Sequence, residues 1–135
     1  KEKGGIPFPN KVSFISQNWK KYPALIQDST LVTKIIDIEK TINGRAYYYI
    51  PKEKVLPFAG QIKTGDIILI TTKKKGLDTA HVGIAIENEG QIYLLHASFS
   101  DKKVSITTET LPDYLQRITS HSGIMIGRLI NFKSN

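Results

Sequence analysis

Two histidines beside short apolar segments are the residues of this chain best suited to chemistry. His81 precedes the segment 82–86, and His96 closes the segment 92–96. Short apolar segments separated by turn residues, here Asn88-Glu89-Gly90, are typical of two antiparallel strands joined in a hairpin. The sequence therefore predicts that the two imidazoles approach each other across one pair of strands.

The position of the turn decides how close the two rings come. A turn centred on Asn88 and Glu89 places His81 and His96 directly opposite each other, with Cβ atoms about 4.5–5.5 Å apart. A turn centred on Glu89 and Gly90 makes them diagonal neighbours on the same face. A three-residue loop without a bulge would instead put them on opposite faces of the sheet.

Strand alternation also predicts what surrounds His81. Gly83 and Ala85 fall on the same side of the strand as His81, whereas Val82 and Ile84 face the other way. Small residues beside a histidine allow another backbone or a substrate to approach closely. We therefore expect the side of Gly83 and Ala85 to be open.

A facing pair of imidazoles suits proton transfer, because the ordinary pKa of histidine lies close to neutral pH. His81 would act as the general base and His96 would orient its ring. That chemistry needs a nucleophile, and the chain contains no cysteine. Ser98 and Ser100 follow His96, but neither lies in a strained turn of the G-x-S-x-G kind.

A metal site is the other chemistry open to two histidines. It would need a third ligand, for which Asp78 and His121 are the candidates. The sequence has no ligand-spaced cluster such as a helical H-E-x-x-H, and it lacks thiolates. We therefore predict no metal and no other cofactor.

Composition limits the class of protein. The 135 residues, 40% hydrophobic and 23% charged, fit one globular domain, and no apolar run approaches the length of a membrane span. The net charge of +7 favours anionic partners such as cell-wall polymers. Sixteen of the nineteen basic residues are lysines, whereas recognition of bases and phosphates favours arginine, so we predict no nucleic-acid partner.

The N-terminal part of the chain divides at Ser29. Residues 1–28 have little periodicity and predict an irregular arm; residues 29–135 predict a single α+β domain. A helix is expected over 29–43, with Ser29 as N-cap and Asn43-Gly44 as a left-handed stop. Its apolar stripe has helical spacing and consists of Leu31, Ile35, Ile38 and Ile42.

The rest of the chain reads as an antiparallel sheet of five to six strands behind this N-terminal helix. Strands are predicted over 67–71, 82–86, 92–96, 104–107 and 124–130, and a short helix over 111–118 begins with Pro112 in its first turn. The aromatic run Tyr47, Tyr48 and Tyr49 predicts either an edge strand with two rings in the core or the rim of a groove.

Three strings in this order resemble the NlpC/P60 family of papain-like cell-wall hydrolases. They are Gly65-Asp66-Ile67-Ile68, Ala80-His81-Val82-Gly83-Ile84-Ala85-Ile86 and Leu95-His96-Ala97-Ser98. The upstream strings Phe14-Ile15-Ser16, Tyr22-Pro23-Ala24-Leu25 and Tyr47-Tyr48-Tyr49-Ile50-Pro51 are similar to one subgroup, the DUF1460 N-acetylmuramoyl-L-alanine amidase-like proteins. The resemblance extends from about residue 5 to residue 129.

The resemblance implies a papain-like fold in which His81 is the catalytic histidine and His96 the polar third member. The family's catalytic cysteine lies on an N-terminal helix that this chain does not contain, so the expected fold is a half of the domain without its cysteine helix. We therefore expect these 135 residues alone to be inactive. The missing cysteine-bearing segment of the same protein would then be a partner of this chain.

The resemblance also implies a periplasmic or secreted bacterial enzyme that cleaves the amide between N-acetylmuramic acid and L-alanine. Its ligands would be muropeptides, which are fragments of peptidoglycan. Candidate substrate-binding residues are Tyr47, Tyr48, Tyr49, Asp78 and Ser98. The alternatives are a non-catalytic peptidoglycan-binding module of the same fold and a γ-D-glutamyl endopeptidase.

Overall fold

The computed structural model describes residues 5–129 and contains seven strands and five α-helices in that range. Three 3₁₀ turns, at Trp19–Lys21, Lys52–Lys54 and Ala59–Gln61, connect some of them. In chain order the elements are β1 Ile6–Pro7, α1 Phe14–Gln17, α2 Pro23–Gln27, α3 Thr30–Asn43, β2 Tyr48–Pro51, α4 Val55–Phe58, β3 Ile67–Thr72, β4 Thr79–Asn88, β5 Gln91–Ser98, β6 Lys103–Ile106, α5 Leu111–Arg117 and β7 His121–Gly127.

The strands form one antiparallel sheet in the order β1-β2-β7-β3-β4-β5-β6. The α+β class is confirmed, but the expected count of five to six strands is too low. The additional strand is β1, in which Ile6 and Pro7 pair with Tyr49 and Tyr48 of β2. A two-residue strand containing proline has no alternating pattern that sequence reasoning could detect.

The predicted positions of the later elements are confirmed within a few residues. Strand β7 begins three residues earlier than expected, at His121, and the predicted end of this strand at Ile130 lies outside the described residues. Helix α5 begins at Leu111 with Pro112 in its first turn, as predicted. Its first turn is held by Thr110, whose hydroxyl accepts a hydrogen bond from the Asp113 N–H.

Helix α3 is present where it was predicted, but the capping interactions predicted at its two ends are wrong. Ser29 makes no side-chain cap; Asp28 accepts hydrogen bonds from the N–H and the hydroxyl of Thr30 instead. Gly44 has φ −79°, so the helix ends without a left-handed residue. A carboxylate two residues earlier satisfies the first free N–H as well as a serine would.

The predicted arm has more local structure than its sequence suggested. It contains the short helices α1 and α2, and the side chain of Glu39 from α3 is buried against it. One oxygen of Glu39 accepts the N–H groups of Ile15 and Ser16 at the start of α1. The division into 1–28 and 29–135 stays a prediction, and residues 1–4 and 130–135 lie outside the described range.

One face of the sheet, here called the covered face, carries the hydrophobic core. Helix α5 and the segment 50–62 pack on it and contribute Leu111, Leu115, Val55 and Ile62. From the sheet come Ile68, Ile70, Leu94 and Ile124, all with no exposed surface. Residues that pair directly across strands share a face, so the register places these side chains together.

The opposite face, here called the bare face, is also apolar but exposed. Its exposed residues, between 37% and 69% accessible, are Ile67, Val82, Ile84, Val104 and Ile106. A sheet that is apolar on both faces is typical of a layer covered on both sides. Separately, no helix within residues 5–129 has the length and apolar character needed to cross a membrane.

Asp66 fixes the start of β3 to the end of β7. Its carboxylate is 2% exposed and accepts hydrogen bonds from Nε and Nη2 of Arg128 and from the N–H of Lys63. Those hydrogen bonds, above all the one from Arg128, lower the pKa of Asp66. Asp66 of the Gly65-Asp66 string therefore has a structural role where the central strand β3 begins beside the end of β7.

Candidate active site

The β4–β5 hairpin brings the two predicted catalytic histidines together. Ile84 pairs with Leu95 and Asn88 with Gln91, so the turn is centred on Glu89 and Gly90. Both turn residues have positive φ, 51° and 78°, as tight hairpin turns require. The directly opposite arrangement of the histidines is therefore wrong, and the diagonal arrangement on one face is confirmed.

The two imidazoles are in hydrogen-bonding contact. His81 Nε2 lies 2.7 Å from His96 Nδ1, and the rings meet edge to face with centroids 5.0 Å apart. Only one hydrogen fits between the two nitrogens. If His81 carries it on Nε2, its Nδ1 keeps a lone pair and can take a proton from another group. In that tautomer the hydrogen bond to His96 fixes the orientation of the His81 ring.

A bulge at the start of β4 sets the direction of His81. The register of β3 against β4 shifts between Ile70 and Thr71, so that His81 pairs with Ile70 and Ala80 is left over. Bulges are common beside active sites because they redirect a side chain. Burial, and then the neighbouring His96, lowers the pKa of His81, which keeps the ring neutral at neutral pH.

A polar cavity of about 540 Å³ opens beside the histidine pair. Helix α5 forms one wall of this cavity, where the Tyr114 ring meets the His96 ring edge to face at a centroid distance of 5.6 Å. Burial raises the pKa of the Tyr114 hydroxyl, so it stays protonated. Arg117 and Glu109 form an ion pair at the same cavity, with Arg117 largely exposed.

The side of Gly83 and Ala85 is not open, contrary to expectation. Both residues are buried, and a Cβ on Gly83 would meet the side chain of Leu94 and the carbonyl oxygen of Leu95. The small residues of β4 therefore make room for the chain's own core. The open space lies farther along the same face, in the cavity beside the two histidines.

Ser98 lies in the cavity wall, but its hydroxyl has partners within the chain. The Ser98 hydroxyl accepts the N–H of Asp101 and contacts the hydroxyl of Ser100, which closes the turn after β5. Asp78 behaves similarly, since its carboxylate accepts the N–H of Thr79. Binding roles for Ser98 and Asp78 stay predictions.

The three tyrosines lie at the far edge of the sheet, separated from β4 by β7 and β3. The interpretation that placed two of their rings in the core is wrong, since Tyr48 is exposed and Tyr47 and Tyr49 are half-buried. Tyr49 packs against Phe8 and shares a groove of about 290 Å³ with Asp78. The structure thus joins two of the predicted binding residues, but not beside the histidines.

Comparison with known families settles the membership of the chain. The sequence model of the AmiA-like family, whose members are N-acetylmuramoyl-L-alanine amidase-like, matches residues 8–124. The chain belongs to the AmiA-like family. A comparison with the curated proteins finds no match.

Solved structures agree with this membership. An N-acetylmuramoyl-L-alanine amidase from Bacteroides uniformis is 35% identical, with a TM-score of 0.81 over 90% of this chain and 52% of its own. A Bacteroides fragilis protein with a provisional xylanase name is 35% identical, with a TM-score of 0.82 over 90% of this chain and 53% of its own. This AmiA-like chain therefore spans about half the length of these relatives.

A more distant protein shares the fold. A Legionella pneumophila protein assigned to DUF1460 is 24% identical, with a TM-score of 0.50 over 73% of this chain and 40% of its own. At that identity the likeness concerns the fold alone.

Two residues of the AmiA-like cavity were not assigned to it from the sequence. Tyr114 was read only as part of a helix, and His121 only as a candidate metal ligand; both line the cavity. A signal for His121 was present, because the pattern H-x-G-I-x-I occurs twice, at residues 81–86 and 121–126. Among residues 5–129, no group of three potential ligands is arranged to hold a metal ion.

Proposed function

We propose that this chain supplies the base of a bacterial cell-wall cysteine amidase of the NlpC/P60, papain-like kind. The intact enzyme would hydrolyse the amide between N-acetylmuramic acid and L-alanine. The observation that carries the proposal is the 2.7 Å contact between His81 Nε2 and His96 Nδ1. The AmiA-like membership and the amidase name of the Bacteroides uniformis relative support the choice of bond.

The proposed reaction is acyl transfer through a thioester. His81 Nδ1 takes the thiol proton, and the thiolate attacks the lactyl carbonyl carbon of the muramoyl group. The C–N bond then breaks as the imidazolium returns the proton to the nitrogen of L-alanine. Water, deprotonated by the same ring, hydrolyses the thioester and restores the thiol. His96 accepts the hydrogen bond from His81 throughout and keeps the tautomer correct.

The nucleophile must come from outside these 135 residues, because they contain no cysteine. The chain covers only 52% and 53% of the length of those two relatives, which leaves room for such a segment. The apolar bare face supports the same proposal, since exposed apolar surface of this extent is typical of a contact surface. We propose that the rest of the polypeptide covers that face and that its cysteine-bearing part reaches the cavity from the covered face, where His81 lies.

Substrate would occupy the cavity beside the histidines, where Ser98 lies in the wall. Tyr47, Tyr48, Tyr49 and Asp78 are proposed to contact more distant parts of a muropeptide, at the far edge of the sheet. No cofactor is part of the proposal. A peptidoglycan substrate places the intact enzyme in the periplasm or outside the cell.

Two other functions make different use of the site. A non-catalytic module of the same fold would bind muropeptides in the same cavity, and the lack of a nucleophile in this chain favours it. A γ-D-glutamyl endopeptidase would cut farther along the peptide. The xylanase name of one relative fits the site poorly, because glycoside hydrolysis uses two carboxyl groups and the half-buried pair here is imidazole.

The test uses the complete gene product and a muropeptide with an intact N-acetylmuramoyl-L-alanine bond. His81→Ala should lower kcat/KM by about 10²- to 10⁴-fold, the usual contribution of a general base. His96→Asn keeps a side-chain acceptor for the His81 N–H and should lose much less than His96→Ala. Release of free L-alanyl peptide, followed by mass spectrometry, separates this bond from the γ-D-glutamyl bond.

The pH dependence of kcat/KM gives a second readout of the same proposal. The pKa of His81 is lowered, so the neutral ring persists below the ordinary value of 6.5. Activity should therefore hold as pH falls to 6.5 and drop only when pH passes the lowered pKa. Binding of muropeptide without cleavage by the complete protein would instead favour the non-catalytic module.

A further inference from the structure

A third imidazole, His121, enters the cavity because of a bulge in the sheet. The register of β3 against β7 shifts between Thr71 and Thr72, so that Thr72 pairs with His121 and Ser122 is left over. Without this shift, alternation would put His121 on the same face as Gly123, which is the bare face. The bulge turns it to the covered face, where it lines the cavity with His81 and His96.

His121 is buried but incompletely hydrogen-bonded. The residue is 5% exposed, and its Nδ1 has no hydrogen-bond partner among the residues that the structure describes. A buried polar atom left unpaired costs about 1–3 kcal/mol, and such atoms are rare in native proteins. A partner that binds in the cavity would remove this cost.

The surroundings of His121 keep its ring neutral. Its ring packs against Tyr114 at a centroid distance of 5.7 Å, and Tyr114 in turn contacts His96. Burial lowers the pKa of His121 most, and the proximity of the ionisable His81 and of the positive charges of Lys52 and Arg117 lowers it further. A neutral imidazole has one donor and one acceptor, which matches the two hydrogen-bonding groups of an amide.

We propose that His121 is a substrate-binding residue that hydrogen-bonds an amide group of the muropeptide in the cavity. The torsion about Cβ–Cγ of histidine is soft, so a modest rotation presents a ring nitrogen to the cavity. An uncharged amide, such as the N-acetyl group or the peptide link, offers the donor and the acceptor that complement this ring. This inference rests on the proposed function for its choice of ligand.

Substitutions of His121 in the complete gene product test the inference. His121→Phe fills the ring volume without nitrogen and should lower kcat/KM for the muropeptide about 10- to 100-fold, mainly through KM. His121→Asn keeps an amide near the position of Nδ1 and should recover most of that loss. Ser120→Ala, next to His121 with an exposed side chain, is the matched control and should match the unsubstituted protein.

A second measurement separates a binding role from a structural one. The ¹⁵N shifts of the His121 ring should move when N-acetylmuramoyl-L-alanine is added to the unsubstituted protein. An unchanged kcat/KM in His121→Phe, equal losses in His121→Phe and His121→Asn, or unmoved shifts on binding would each overturn the inference. If the shifts move but no amide is cleaved, the proposed function fails and the binding role stands.

Discussion

The two faces of the sheet differ in exposure, although the residues on both are apolar. On the covered face, Ile68, Ile70 and Leu94 have no exposed surface, whereas on the bare face Val82 is 52% and Ile84 is 42% exposed. Both sets are aliphatic, and both lie in the neighbouring strands β3, β4 and β5. The difference teaches that apolar character marks a surface that needs cover, but it does not say whether the cover belongs to the same stretch of chain.

Strand β4 shows the contrast within single residues. Its covered side has the small residues Gly83 and Ala85, and its bare side has the branched residues Val82 and Ile84. The small residues are covered because Leu94 of β5 occupies the space above them. The small size of Gly83 and Ala85 therefore led to the wrong prediction that their side of the strand is open.

The largest expected effect comes from deleting a side chain on the covered face. Leu94→Ala should lower the free energy of unfolding by about 2–5 kcal/mol, because the cavity left by a fully buried leucine cannot close completely. Ile84→Ala, one strand away on the bare face, should cost less than about 1 kcal/mol. Urea unfolding of both variants measures the contrast, and equal losses would show that the bare face is covered in this chain as well.

A complementary test adds a methyl group to one glycine on each face instead of deleting a side chain. Gly83→Ala should destabilise the chain by about 1–3 kcal/mol, because its Cβ would meet Leu94 and the backbone of β5. Gly127→Ala is the matched control: on the bare face, its Cβ would lie 3.6 Å from the Cβ of Ile67, an ordinary contact. We expect Gly127→Ala to be neutral or slightly stabilising. A melting curve for each variant decides, and a neutral Gly83→Ala would contradict the packing described here.

Sequence reasoning reached the histidine pair because a hairpin is a local structure. Two apolar segments and a turn limited His81 and His96 to three arrangements, and the positive φ of Glu89 and Gly90 selects one of them. It missed His121 because that residue depends on a bulge between β3 and β7, strands that are about fifty residues apart. Bulges follow from the tertiary pairing of strands and leave little trace in either strand's pattern.

The tyrosines show the same limit of sequence reasoning, because their strand was predicted but its position in the sheet was not. A run of three aromatic residues gave a strand, and a strand forms there, but its place in the sheet depends on pairing with β7 and β1. Nothing local says that two further strands, β7 and β3, separate it from β4. Residue types therefore predicted a binding surface without predicting its distance from the histidines.

The smallest expected effect in this chain is the one that tests what covers the bare face. Val82→Thr replaces a methyl group by a hydroxyl at a half-exposed position and should change the free energy of unfolding by less than about 0.5 kcal/mol. If the rest of the polypeptide covers this face, the same substitution in the complete gene product buries that hydroxyl and should cost about 1–3 kcal/mol. Paired unfolding measurements compare the two contexts. A cost below about 0.5 kcal/mol in both contexts would mean that Val82 stays exposed in the complete protein, so the rest of the polypeptide would not cover the bare face.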